Sequence, residues 1–354
     1  MFTLHRAATS AVAAVAILTA AAASAQTPAP QPTPVVGHAD VFVPDTRRLA
    51  FVSKVNGHAY SIDVAWPETP PPPGGYPVIY VLDGNVYFAS VVGAVRANGN
   101  APQAMVVGVG YPAADPAWRA TYLAKMKVVP PGLSPVQAAG MAISMARIYD
   151  LTSAADADSL KQAVASGVTA TAADFGGVDD FLKTIETEVK PRVQALAVEN
   201  HASVNLHDQT LFGHSLGGLA VVDALFTEPG AYRTFVAASP SIWFADRAVL
   251  AKEAAFDAAV TAGKAAPRVL ITVGADEEAI PKLPPEMAIQ RAAIEASVKK
   301  AHMVGNACDL ATRLQALHGG PGYEVADCAV FPHQEHGISV WPAIGRAVSF
   351  AYPH

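Results

Sequence analysis

The chain has 354 residues, 51% of them hydrophobic and 15% charged, with a formal net charge of −6. That much apolar material excludes a disordered chain, and the modest negative charge argues against nucleic acid or an anionic membrane surface as a partner. The length suits one large α/β domain or two small ones.

At the N-terminus, MFTLHR supplies a short basic segment and AATSAVAAVAILTAAAA an apolar run, and Ala23-Ser24-Ala25 offers a small-residue cleavage site before Gln26. The apolar run falls short of the ~20 residues that a membrane span requires. Residues 1–25 are therefore read as a cleavable signal peptide rather than an anchor, which predicts a periplasmic or secreted protein with no stable membrane insertion. Residues 26–40 form a Pro-rich linker with no pattern that packs, leaving 41–354 as the folded domain.

Residues 47–66 read as a β-hairpin, with Asn56-Gly57 as its turn and His58, Tyr60, Ile62, Val64 and Trp66 alternating along the second strand. The stiff loop PETPPPPGGYP follows. Beyond it, short apolar runs alternate with helical patterns: VIYVLDG (78–84), AMVVGVG (104–110), QTLFG (209–213), TFVAAS (234–239) and RVLITVG (268–274). Runs of this kind suit strands buried on both faces of a parallel sheet. GVDDFLKTIETEVKPRVQAL and PEMAIQRAAIEASVKKA read as helices between them, the latter placing Met287, Ile294 and Val298 on one face. The pattern predicts an α/β fold with a mostly parallel, doubly wound sheet and an antiparallel hairpin edge. Residues 112–175 interrupt it with two helix-like segments, SPVQAAGMAISMARIY and DADSLKQAVASG, and are read as a lid-like insertion.

The segment QTLFGHSLGGLAVVDALF carries the chemistry. Gly213-His214-Ser215-Leu216-Gly217 fits G-x-S-x-G between a strand and a helix, a turn that lifts the Ser215 hydroxyl above the sheet. A serine nucleophile needs a base and an orienting carboxylate, in the chain order serine, acid, histidine. Asp276, Glu277 and Glu278 follow RVLITVG where the acid belongs. His333 and His336 follow the expected last strand, YEVADCAVFP (323–332), and the flexible position of His336 before Gly337 favours it as the base. The two histidines as a metal pair lack a third ligand nearby and match no common zinc spacing. His214, inside the turn, is expected to point away from the nucleophile. The Leu216 backbone N–H, and that of Asn85 in the Asp83-Gly84-Asn85 turn, are the candidate oxyanion donors. This chemistry needs no cofactor. Gly108-Val109-Gly110-Tyr111-Pro112-Ala113 fits a dinucleotide fingerprint by letter. It is read as a strand end instead, because Pro112 opens a loop and Pro130-Pro131 stand where the acidic partner should be. Cys308 and Cys328, the only two cysteines, are expected to form a disulfide in an exported chain.

With these motifs in hand, the chain resembles the enterochelin (siderophore trilactone) esterase group of α/β-hydrolases from about Arg48 onward. The resemblance rests on SKVNGHAYSIDVAWP, VIYVLDGNVYF, VGVGYP, RIYDLT, GGVDDFLKTIETEVKP, LFGHSLGGLAVVDALF, AASPSIWF and HGISVWPAI, taken in order. It implies ester hydrolysis through an acyl-enzyme on Ser215 with His336 as base. Group members commonly carry Gly-x-Glu at the acid loop, which aligns Glu277. The resemblance also implies that Arg147 lines the substrate pocket, although pairing with Asp150 is equally open, and that Trp243 forms a pocket wall. The implied substrate is a siderophore ester. A general carboxylesterase, an acyl-CoA thioesterase and a non-catalytic ligand-binding protein stand as alternatives.

Overall fold

A computed structural model describes residues 43–99, 103–165, 169–280 and 291–353. The expected signal peptide and linker, and Met287 of the predicted helix face, lie outside these residues. Strand β1 (Thr46–Val52) pairs antiparallel with β2 (Ala59–Ala65), in register from Thr46↔Ala65 to Val52↔Ala59. Asn56-Gly57 sits within a connection spanning residues 53–58 rather than forming a tight turn by itself. The cause is tertiary. The Lys54 N–H donates to Glu188 Oε1 at 2.8 Å and Ser53 Oγ lies 2.9 Å from Thr184 Oγ1, so the loop is shaped by the helix beneath it.

Next come β3 (Tyr76–Leu82), α1 (Gly84–Ala97) and β4 (Met105–Gly110). The insertion contributes α2 (Pro116–Leu123), α3 (Pro135–Asp150) and α4 (Ala157–Ala165). Ser134 and Gln137 form a reciprocal cap at the start of α3, which explains why an Ala-rich segment begins its helix there. The long helix expected over residues 177–196 is α5 (Val178–Thr184), a π-helical turn (Ile185–Val189) and α6 (Lys190–Glu199), Pro191 falling where the π turn ends.

The remaining strands and α-helices are β5 (Val204–His214), α7 (Leu216–Thr227), β6 (Thr234–Ala238), α8 (Glu253–Thr261), β7 (Arg268–Gly274), α9 (Arg291–Ala301), α10 (Met303–Gln315), β8 (Glu324–Val325), β9 (Ala329–Phe331) and α11 (Val340–Ala351). The sheet order is β1-β2-β4-β3-β5-β6-β7-β8, with β9 also on β7. The first three strands in that order pair antiparallel and every later pair is parallel. Alternate residues face opposite cores. Tyr80, Leu82, Leu211, Phe235 and Ile271 join one cluster, while Ile79, Val81, Phe212, Val236 and Leu270 join the other with α1 and α11. Burial on both faces is what the continuous apolar runs predicted.

One expectation needs correcting. The single strand expected over residues 323–332 is split into β8 and β9 around Ala326-Asp327-Cys328. Cys328 leaves the ladder there to bond Cys308 of α10. Closing a loop of this length is expected to stabilise the fold by about 3 kcal/mol on chain-entropy grounds. A thermal melt with and without reductant checks this: a lowered midpoint is expected, and an unchanged one counts against it.

The glycines of the apparent dinucleotide motif have a packing role. A Cβ on Gly110 would stand 2.2 Å from Asn85 Oδ1, and one on Gly84 would stand 2.5 Å from the Gly108 backbone. They let β4 lie directly against the start of α1.

Candidate active site

The sheet order explains why distant residues meet. β5, β6, β7 and β9 are successive parallel neighbours, so the segments leaving their carboxyl ends share one edge of the sheet. Those segments carry Ser215, Ser239, Glu277 and His336 in turn.

Ser215 has φ 61° and ψ −121°, a conformation that costs a non-glycine residue energy and that the surrounding turn imposes. Its neighbours must be small. A Cβ on Gly213 would stand 2.3 Å from the Gly217 carbonyl oxygen, and one on Gly218 would stand 2.8 Å from that of Ala238. The turn is pinned from outside by the Ser215 N–H donating to Ala238 O at 3.0 Å and the Ser241 N–H donating to Ser215 O at 3.1 Å.

Ser215, His336 and Glu277 form a relay. His336 Nε2 lies 2.9 Å from Ser215 Oγ, and its Nδ1 lies 2.6 Å from Glu277 Oε2. Carboxylate contact at Nδ1 sets the tautomer, leaving Nε2 to accept a proton from the serine. Glu277 is buried, and its other oxygen accepts from the Gly274 N–H at 2.7 Å and Ser239 Oγ at 2.5 Å. Burial pushes this carboxyl up, but the hydrogen bonds from His336 and Ser239 outweigh it and hold it below the usual glutamate value. The backbone joins the two loops as well, the Asp276 N–H donating to Gln334 O at 3.1 Å.

The neighbouring candidates are elsewhere. Glu278 accepts from the N–H groups of Val304 and Gly305 at the start of α10, capping that helix. Asp276 is only half-buried, and no hydrogen bond links its side chain to His336 among the described residues. His333 is exposed, with φ 57° in the turn that leads to the loop.

Leu216 opens α7 and Asn85 is the second residue of α1, so each presents an N–H from a helix's first turn, where the helix itself supplies no acceptor. β3 and β5 are parallel neighbours, which brings these two helix starts side by side; a Cβ on Gly217 would stand 3.2 Å from Asp83 Oδ2. The Asn85 side chain is locked by Tyr111, accepting from its N–H at 2.7 Å and donating to its carbonyl at 2.9 Å.

A pocket of about 630 Å³ opens beside Ser215, Glu277 and His336. Its walls include Trp243, Phe175, Phe244, Met303 and Val298. Arg147 also borders the pocket, but its guanidinium is engaged. It donates from Nε and Nη2 to the two oxygens of Asp83 at 2.8 and 2.7 Å. Asp150 instead accepts from the Tyr60 hydroxyl at 2.9 Å, so the Arg147–Asp150 alternative gives way to an Arg147–Asp83 pair. That pair ties the insertion to the residue preceding α1. Removing the cation leaves a buried carboxylate uncompensated, so Arg147→Met is expected to destabilise the fold by about 3–5 kcal/mol. Denaturant titration of the two proteins measures the difference.

Sequence reasoning did not single out Ser239, Ser339 or Asp83. Ser239 Oγ lies 2.8 Å from Ser339 Oγ, which donates to the His336 carbonyl at 3.0 Å. The position of Ser239, directly after a strand lying between those leading to Ser215 and Glu277, was the available signal.

The sheet order, the strained serine turn and the serine–histidine–carboxylate relay define an α/β-hydrolase. Comparison with known proteins narrows the class. The family model described as Esterase matches residues 145–310. Ferri-bacillibactin esterase BesA of Bacillus subtilis is 30% identical over 316 residues, covering 87% of this chain and 90% of that protein. Siderophore triacetylfusarinine C esterase of Aspergillus fumigatus is 28% identical, over 76% of this chain and 80% of its own length. Among solved structures, the BES protein of Bacillus cereus superposes with a TM-score of 0.64 at 26% identity, covering 90% of this chain and 100% of that one. The chain belongs to the siderophore esterase group of α/β-hydrolases.

Proposed function

We propose that the protein is a serine esterase that opens ester bonds of siderophores through an acyl-enzyme. The observation that carries this reading is the unbroken contact from Ser215 Oγ to His336 Nε2 at 2.9 Å and from His336 Nδ1 to Glu277 at 2.6 Å. Ser215 Oγ attacks the acyl carbonyl as His336 takes its proton. Glu277 stabilises the imidazolium and keeps the ring oriented. The tetrahedral oxyanion is held by the Leu216 and Asn85 N–H groups at the positive ends of two helices. Collapse of the intermediate releases the alcohol, protonated by His336, and water admitted by the same base then frees the acid.

The siderophore substrate is supported by the relatives, one acting on ferri-bacillibactin and another on triacetylfusarinine C. Export is part of the same proposal, supported by the character of residues 1–25 and by the Cys308–Cys328 bond. Residues 112–175 act as a lid in this reading, since Arg147, Ile148, Thr152, Ser159 and Phe175 border the pocket from that segment.

One observation favours a second reading, a carboxylesterase for uncharged acyl groups. The guanidinium nearest the site is already neutralised by Asp83, and the described walls are largely apolar. Assaying the mature protein on iron-loaded and iron-free siderophore esters beside short-chain nitrophenyl esters separates the two. Preferential turnover of siderophore esters is expected; turnover of the simple esters alone removes the siderophore assignment and leaves the ester chemistry standing.

A further inference from the structure

His214 is the last residue of β5 and is almost fully buried, with only 3% of its surface exposed. Its Nε2 lies 3.0 Å from the backbone carbonyl of His336, and its Nδ1 lies 3.2 Å from the Tyr87 hydroxyl. A carbonyl only accepts, so Nε2 carries the proton. In a neutral ring Nδ1 is then an acceptor, and the Tyr87 O–H donates to it. Both charge states agree with this assignment. Burial, followed by the nearby His336, lowers His214 to about 4, and burial pushes the Tyr87 phenol up to about 12. The His214 ring lies 4.9 Å from that of His336 and 5.8 Å from that of Tyr87.

We infer that Tyr87 and His214 form a positioning pair, which tethers the base loop through the His336 carbonyl and thereby holds the imidazole at Ser215. The inference rests on the serine esterase reading and adds two residues that act through His336 rather than on substrate. The loop needs such a tether. His336 keeps 42% of its side chain exposed, and Gly337, with open space around it, follows directly. The other donor to the same carbonyl is divided. Ser339 has one hydroxyl proton for two acceptors, Ser239 Oγ at 2.8 Å and His336 O at 3.0 Å. Ser239 spends its own proton on Glu277 at 2.5 Å, which leaves its oxygen free to accept from Ser339. The His214 Nε2–H has no second acceptor among the described residues, and Tyr87 holds the tautomer that places the proton there.

The test is the rate at which a fluorophosphonate ester labels Ser215, a readout that does not require the natural substrate. His214→Phe keeps the packing volume and loses the donor, and is expected to slow labelling about 10- to 100-fold, the scale of a small misplacement of a reacting group. His214→Gln returns an amide N–H near the Nε2 position and is expected to recover most of that loss. Tyr87→Phe releases the tautomer and is expected to slow labelling about 3- to 10-fold in the native background, with no further loss on top of His214→Phe. Labelling of His214→Phe within about twofold of the native rate, no recovery by Gln, or multiplying losses in the double variant would each overturn the pair. If His214→Phe fails to fold, His214→Gln and Tyr87→Phe still decide: full loss in the Gln variant, or an unchanged rate in Tyr87→Phe, overturns it. A native protein that does not label, or a Ser215→Ala protein that does, removes the serine esterase reading and this pair with it. Native labelling at Ser215 with indifferent His214 and Tyr87 variants removes the pair alone.

Discussion

Replacing Ser215 by alanine is expected to lower kcat on any accepted ester by about 10⁴- to 10⁶-fold while leaving the fold intact. The size follows from the division of labour in the site. In the proposed mechanism the hydroxyl is the atom that bonds to the acyl carbon, so its loss also makes the base and the carboxylate useless, and only the proposed oxyanion donors and the pocket remain to assist water. Retention of the fold follows from the structure. Ser215 is half-buried, and the turn is held by backbone contacts to Ala238 and Ser241 that alanine preserves. Substrate binding is expected to survive, so KM changes far less than kcat. Steady-state kinetics on one ester, with circular dichroism as the folding control, measures both. A residual rate within about tenfold of the native one would mean that another group bonds the acyl carbon.

The second large effect concerns the three adjacent carboxylates. Glu277→Gln is expected to lower kcat by about 10³- to 10⁴-fold, because the amide presents a donor or a weak acceptor to His336 Nδ1 and favours the wrong tautomer. Asp276→Asn and Glu278→Gln are expected to change kcat only a few-fold. Glu278→Gln instead weakens the cap at the start of α10 and lowers the melting temperature. Glu277 also contributes to the acid side of the stability profile. Its folded pKa lies below its ordinary value, so the stability it contributes is fully present above the unfolded value and is lost as pH falls through the folded one. Comparing acid unfolding of the native protein and Glu277→Gln reads this directly; the variant should lack the Glu277 share of the acid transition.

The site was legible where chemistry is written locally. Gly213 and Gly218 carry their reason in the backbone, since the close approaches to the Gly217 and Ala238 carbonyl oxygens forbid a Cβ at either position. The chain order of Ser215, Glu277 and His336 then follows from the strands that deliver them. Sequence left open which of three carboxylates turns inward, because that depends on how residues 275–278 coil after β7. The same holds for Arg147: its partner Asp83 is 64 residues away, and Asp150, the nearer acid, is taken by the Tyr60 hydroxyl. His214 shows the limit most clearly. Expected to point away from the nucleophile, its ring reaches the carbonyl of a residue 122 positions downstream, and no local pattern announces such a contact. In the fold, alternation and apolar runs located the strands, while the hairpin connection and the β8–β9 interruption were shaped by Glu188, Thr184 and the disulfide.

The most direct measurement is mass spectrometry of the protein quenched during turnover of a slow ester. An acyl group on the peptide carrying Ser215, absent from His336→Ala and vanishing as substrate is exhausted, is the expected result. Sustained hydrolysis with that peptide unmodified at every quench time, or acyl carried by a different side chain, would contradict it.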